Sequence, residues 1–330
     1  MRKLLLGTTA LAAAATLTAN AALADVSISG GYEFKYASRS SNVDANDGTT
    51  MTHGDTDMTI NFTNKTDSGL DITYRVDFDV FGNTESGAAT MDEISLAIAG
   101  GFGKIVLGRD DDAGDAYNLD ESDLIAEDAA PAVTSMTIGT SSSISSDDAM
   151  KVAYHLPAMG GLTAGISHTD RGAAGGTDST SYGARYSMDA AGASITLGYA
   201  AVQDENATQD VDQENMGMKI VSGDISLIIS QGGSESNDED IENQGAAISY
   251  KMPNGMTVGA YTFKSEDDLD AGEEYSRNGV ELQYTIASGL TAVINVDDYD
   301  YKEGTDPDGA SAAHVDDSGT QTKLTIKAAF

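Results

Sequence analysis

The 330-residue sequence has no cysteine, no tryptophan, four prolines, and 18 Lys and Arg against 53 Asp and Glu. Each shortage excludes something. Without cysteine there are no disulfides, no thiolate zinc or iron–sulfur centres and no thiol nucleophile. A formal charge of −35 repels phosphate backbones, so nucleic acid is not an expected partner. Beyond the N-terminus no run approaches the ~18 apolar residues of a membrane helix, and the hydrophobic fraction is 40%. A helical membrane protein is thereby excluded. The four histidines, His53, His155, His168 and His314, stand in no nucleophile–His–acid pattern. Gly103-Lys104-Ile105 lacks the preceding glycine and the following Ser or Thr of a phosphate loop. The chain does not read as an enzyme.

What is present begins with an export address. Arg2 and Lys3 lead into an apolar stretch from Leu4, and Ala22-Leu23-Ala24 forms a small-x-small cleavage site before Asp25. Residues 1–24 are expected to be a cleaved signal peptide. Residues 25–330 then form one domain with 16 basic and 53 acidic side chains, a net charge of −37.

From Asp25 onward apolar and polar residues alternate, the period-2 pattern of a strand with one apolar face. Leu324, Ile326, Ala328 and Phe330 share one face, and Gln321, Lys323, Thr325 and Lys327 the other. Sixteen strands are predicted, near 26–37, 56–64, 70–80, 91–99, 104–109, 149–156, 162–168, 181–188, 193–201, 214–221, 224–231, 244–251, 255–264, 276–286, 289–299 and 318–330. Short connections rich in Gly, Pro and Asn alternate with long acidic ones, at 38–55, 81–90, 110–148, 169–180, 202–213, 232–243, 265–275 and 300–317. These long loops hold 38 of the 53 carboxylates.

An even number of half-apolar strands, with turns at one end and loops at the other, fits an all-β, 16-stranded antiparallel transmembrane β-barrel. A tilted strand of about 9–11 residues spans a bilayer, and closure removes the unpaired edges that hydrocarbon does not tolerate. At this strand number a barrel encloses an aqueous channel. Tyr32, Tyr36, Tyr74, Tyr154, Tyr182, Tyr186, Tyr199, Tyr250 and Tyr284 sit on apolar faces and stand in for the missing Trp in interfacial belts.

The signal MRKLLLGTTALAAAA, the mature start Asp25-Val-Ser-Ile-Ser-Gly-Gly-Tyr-Glu-Phe, the segment Gly101-Phe-Gly-Lys-Ile-Val-Leu-Gly-Arg109 before a long loop, and terminal Phe330 together resemble a Gram-negative general porin of the alphaproteobacterial type. The resemblance implies a homotrimer in the outer membrane, in contact with its lipid and lipopolysaccharide. It also implies Phe330 as a signal for the barrel-assembly machinery, and a third loop, 110–148, folded into the lumen as the constriction.

That loop carries Asp110, Asp111, Asp112, Asp115, Asp120, Glu121, Asp123, Glu127, Asp128, Asp147 and Asp148, and no Lys or Arg. Folded inward, it would face a basic wall of Arg75, Arg109, Lys35, Lys104, Lys151 and Arg185, which the alternation places opposite the apolar face or at the loop entrance. Strand 56–64 contributes no inward Arg, which thins that wall. With its acidic excess the channel is expected to prefer cations among small hydrophilic solutes. Asp110, Asp111 and Asp112 offer hard oxygens to calcium, although solvated acidic turns are the plainer reading; no other cofactor is implied. Two further readings stay open: a substrate-specific outer-membrane channel, and a secreted calcium-binding β-solenoid or adhesin, for which no tandem repeat is found.

Overall fold

The computed structural model describes residues 24–330 except 55, 80–89, 127–135, 137, 140, 145–148, 171–176, 206–209, 237–238, 270–271 and 304–315. Residues 1–23 of the expected signal peptide and Glu127, Asp128, Asp147 and Asp148 of the long loop lie outside the described residues. In chain order the strands are β1 (Asp25–Ser41), β2 (Gly48–His53), β3 (Asp57–Lys65), β4 (Asp71–Asp79), β5 (Thr90–Gly100), β6 (Gly103–Arg109), β7 (Met150–His155), β8 (Leu162–Thr169), β9 (Asp178–Ala190), β10 (Ala193–Glu205), β11 (Asp210–Ser222), β12 (Ile225–Glu235), β13 (Asp240–Lys251), β14 (Met256–Asp267), β15 (Glu273–Ala287), β16 (Leu290–Glu303) and β17 (Asp317–Ala329).

From β3 to β17 each strand pairs antiparallel with the next. β1 pairs with β17 along Gly31–Ser41 and with β3 along Asp25–Gly30, so the sheet closes into a ring. β2 lies on the same side of β1 as β3, opposite Phe34–Arg39. The two are halves of one broken stave, and the barrel has sixteen staves. The sequence reading placed 48–53 in a loop. Its lone large apolar side chain, Met51, gave no alternation to detect, and the break falls at Gly54. There the Gly54 N–H donates to the Glu33 carbonyl at 3.0 Å, and a Cβ would run into the Glu33 and Lys35 side chains.

Burial is the inverse of that in a water-soluble sheet. Ile28, Val152, Met216, Ile248, Val280 and Ile294 are exposed, while Lys151, Asn215, Arg277, Asn295 and Thr325 are buried. The alternation explains this: along β11, Ile220, Met218 and Met216 face out while Lys219, Gly217 and Asn215 face in, where Asn215 meets the long loop. The pattern continues around the ring, and the nine tyrosines proposed for the belts all take outward parity. Tyr261 and Phe263, opposite in parity to Met256 and Val258, point inward and are buried. Turns at one end are short, as at Gly223 with φ +59°, a conformation that favours glycine.

Closure is reinforced by side chains inside the seam. The Arg39 guanidinium pairs with Asp317 and donates from Nε to Tyr299 Oη at 2.7 Å; Ser41 Oγ donates to Asp317 Oδ1 at 2.6 Å. At the other end, the Phe330 N–H donates to the Gly30 carbonyl at 2.9 Å, leaving the Phe330 side chain 85% exposed. Asp317→Ala would strand a largely buried guanidinium and is expected to cost about 3 kcal/mol. The readout is a lower temperature for conversion of the folded to the unfolded band in electrophoresis of unboiled samples. An unchanged conversion temperature would mean that the backbone ladder alone holds the seam.

Candidate pore constriction

The long loop leaves β6 at Asp110 and re-enters the sheet at Met150, with single helical turns at Asp115–Tyr117 and Glu121–Leu124. It follows the inner wall of the barrel. The Ala113 N–H donates to Ser167 Oγ on β8 and the Gly114 N–H to Ser181 Oγ on β9, both at 2.9 Å. Further along, the Leu119 N–H donates to Asn215 Oδ1 on β11 at 3.0 Å, and the Ala126 N–H to Glu281 Oε1 on β15 at 2.9 Å. Lys327 Nζ on β17 donates to the Ala126 carbonyl at 2.7 Å. Leu119 and Ile125 pack into a cluster with Ile228, Ala247 and Tyr261; Ile138 packs on Phe263, Tyr275, Tyr299 and Tyr301.

Room for this path comes from glycines at inward positions. A Cβ on Gly183 would lie 2.8 Å from Tyr117 Cβ, and one on Gly198 2.8 Å from Leu119 Cβ. At Gly217 it would strike the Leu119 carbonyl oxygen, and at Gly245 the Glu121 carboxylate. Gly198 and Gly217 face each other across β10 and β11. The loop therefore rests on bare backbone along this side. Nothing in the sequence reading assigned these glycines a role; the available signal was glycine where the alternation calls for an inward polar side chain.

The predicted charges divide into groups with different surroundings. Glu121 is 0% exposed and accepts from Ser142 Oγ and Ser230 Oγ, each at 2.9 Å. Asp120 caps the second helical turn, accepting from the Ser122 N–H at 2.9 Å, and its burial raises its pKa. Asp112 is buried in an ion pair with Lys151 Nζ at 2.8 Å, and the Lys151 side chain is 0% exposed. Glu121, Asp112 and Lys151 are thus removed from the water-filled interior, which corrects their assignment to facing acidic and basic walls. Arg109 is corrected too. In β6, Val106 points inward against Ala113 and Ala153, so Leu107 and Arg109 take the outward parity, and Arg109 Nη1 donates to the Met91 carbonyl at 3.4 Å.

Asp110, Asp111, Asp115 and Asp123 retain access to solvent. Asp115 has its pKa raised to about 6, first by partial burial and then by Asp111, Asp120 and Asp112. The wall that the described part of the loop leaves uncovered is built by β1 and β3–β5. There Arg75, 37% exposed, pairs with Asp77 and with Glu93, each at 2.5 Å. Lys35 pairs with Glu33 at 3.3 Å, and Lys327 with the other oxygen of Glu33 at 2.8 Å. Lys104 and Arg185 also face inward, on β6 and β9. Among the described residues, the carboxylates with ligand atoms within 4.8 Å of one another are Glu93, Asp110 and Asp111, so Asp112, which was expected to join Asp110 and Asp111 in holding calcium, falls outside this cluster. Arg75 already holds Glu93, and this donor set does not fit a divalent ion well.

A closed, inside-out barrel narrowed by an inward loop is now in view. A sequence model of the Gram-negative porin family matches residues 7–329. The chain belongs to that family. No curated protein matches it in sequence. Among solved structures, the anion-selective porin from Comamonas acidovorans is 16% identical with a TM-score of 0.67, covering 93% of this chain and 100% of its own. OmpT of Vibrio cholerae, in a trimer form, is 14% identical with a TM-score of 0.67 over 93% and 99%. A mutant porin of Rh. blastica is 14% identical with a TM-score of 0.63 over 93% and 100%. At these identities the likeness is one of fold, and it agrees with the sixteen-stave barrel derived above. The porin is an outer-membrane β-barrel.

If the glycines seat the loop, enlarging one should unseat it. Gly217→Ala is expected to push Leu119 off the wall at a cost of roughly 1–3 kcal/mol. Single-channel conductance in planar bilayers should change while the barrel still folds. Conductance equal to that of the unmodified porin would show that the loop absorbs the methyl group without moving.

Proposed function

We propose that the porin is a diffusion channel for small hydrophilic solutes and ions with a moderate preference for cations. The observation that carries the preference is the balance of solvent-facing charge: Arg75 and Lys35 are each held by carboxylates of their own wall, whereas Asp110, Asp111, Asp115 and Asp123 meet solvent on a loop without Lys or Arg, with Arg185 3.9 Å from Asp123. A pore lined by an excess of solvent-facing carboxylates raises the local concentration of cations and lowers that of anions. The same reading includes residues 1–24 as a cleaved signal, 25–330 as one barrel domain with 110–148 as its constriction, and Phe330 as the assembly signal. It includes a homotrimer in lipopolysaccharide-bearing membrane and the alphaproteobacterial type indicated by the sequence motifs. Calcium is not part of it, because Arg75 competes for Glu93. The substrate-specific alternative lacks support from a described cavity aimed into the constriction.

Reversal potentials in a KCl gradient test the selectivity directly. A cation-side potential is expected, and a clear anion-side potential would overturn the reading. Its pH dependence is also set. Asp115, with a pKa near 6, is largely neutral below that value and charged above it. Cation preference should therefore climb between about pH 5 and pH 7, and Asp115→Asn should flatten that climb. A climb of equal size in the variant would place Asp115 off the ion path.

A further inference from the structure

We infer that the lumen contains two charge zones of opposite sign stacked along its axis, and that the inner one, formed by Arg185, Lys219, Lys104 and Lys251 beneath the loop, transiently binds anionic groups of permeating solutes. The inference rests on the channel reading but differs from a field running across the constriction, because the basic groups lie below the acidic loop instead of facing it.

The register fixes the heights. The loop crosses β9, β10 and β11 at Gly183, Gly198 and Gly217. The next inward positions towards the periplasmic turns are Arg185, Thr196 and Lys219, with Thr196 opposite both Lys219 and Ser187. Arg185 and Lys219 are drawn to the underside of the loop. Arg185 Nη2 lies 3.9 Å from Asp123 Oδ2, and Lys219 Nζ donates to the Asp123 carbonyl at 3.2 Å. Lys104 sits opposite His155, one inward step below the Val106 and Ala153 pair on which Ala113 packs. Lys251 is the last inward residue of β13, and both it and Lys104 are exposed.

Among the described residues, inward acids on the turn side of the loop include Asp71, level with Lys104 across Ala99 and paired with Lys65 at 3.0 Å, and Asp189 beside the turn at Ala191. On the loop the balance is reversed. Asp110, Asp111 and Asp115 meet solvent there, whereas Asp267, Glu273 and Asp317, inward near the outer ends of β14, β15 and β17, are buried, Asp317 against Arg39. A cation entering from outside therefore meets carboxylates first and ammonium or guanidinium groups second; an anion from the periplasm meets them in the opposite order. Guanidinium and ammonium donors suit carboxylate and phosphate groups.

Two such zones in series do not conduct equally in both directions. A voltage that drives cations in through the acidic end and anions in through the basic end concentrates both at the junction and raises the current. The opposite voltage depletes the junction and lowers it. Screening limits the effect: the Debye length is about 10 Å at 0.1 M salt and about 3 Å at 1 M.

The test is the current through single channels at equal and opposite voltages. In about 0.1 M KCl, where screening is weak, the two currents should differ in magnitude, and in about 1 M KCl they should converge. Arg185→Gln with Lys219→Gln should abolish the difference at low salt. Because that pair touches the loop, Lys104→Gln with Lys251→Gln serves as a second variant, expected to reduce the difference. Inorganic phosphate added on the basic side, identified from the sign of the asymmetry, should block more strongly than on the other side. Symmetric currents at low salt in the unmodified porin, or an asymmetry that survives both double variants, would overturn the inference. A protein that forms no channel would instead overturn the function on which it rests.

Discussion

A strand in hydrocarbon has no water to satisfy its N–H and C=O groups, so every backbone edge must find another edge. In this chain the demand is met by the pairing of β1 with both β17 and β3, and most else follows from that closure. Once the ring is closed, each strand has one face towards lipid and one towards the interior. The alternation of Ile220, Met218 and Met216 with Lys219, Gly217 and Asn215 is then a requirement and not a preference. The interior cannot be packed by the sheet itself, because its inward side chains are polar and a sixteen-stave ring is wide. The long loop enters that space and is held against the wall.

That explains how much was legible. The staves could be read because period-2 hydrophobicity is the direct imprint of the bilayer on the sequence. Their outer ends could not. In β11 the outward residues change from Met216 to Glu214 and Asp212, so the apolar signal stops while pairing continues to Asp210. The same happens in β16, where Asp298 and Asp300 follow Val296. Above the hydrocarbon, hydrogen bonding persists without an apolar face, and the predicted long loops at 202–213 and 232–243 prove to be largely hairpin. The broken stave of β2 and β3 was invisible for the related reason that Gly48–His53 carries little apolar patterning.

The loop was legible as a loop and as acidic, but its charges could not be sorted by composition. Burial sorts them. Glu121 and Asp112 have exchanged water for serine hydroxyls and a lysine, and Asp120 for the end of a helical turn. A buried carboxylate is costly unless hydrogen-bonded or paired, so Glu121 and Asp112 fix the loop to the wall through Ser230 and Lys151, and Asp120 fixes the loop's own turn. Arg109 was misplaced for a different reason. It stands at a strand end, where position in the sequence suggests the loop entrance while parity sends the side chain outward.

The same sorting limits what net charge says about permeation. A mature excess of 37 acids would give a very strong field if all of them faced the pore, but many are outside the wall, some are buried, and others neutralise Arg75, Lys35 and Arg39. What an ion meets is the remainder, and its distribution matters more than its sum. The glycine track decides that distribution. Because Gly183, Gly198 and Gly217 let the loop lie flat against β9–β11, its anchoring carboxylates are turned into the wall. The basic side chains next in register, Arg185 and Lys219, are left beneath it. Backbone space on one side of the barrel thereby sets the order in which a solute encounters charge.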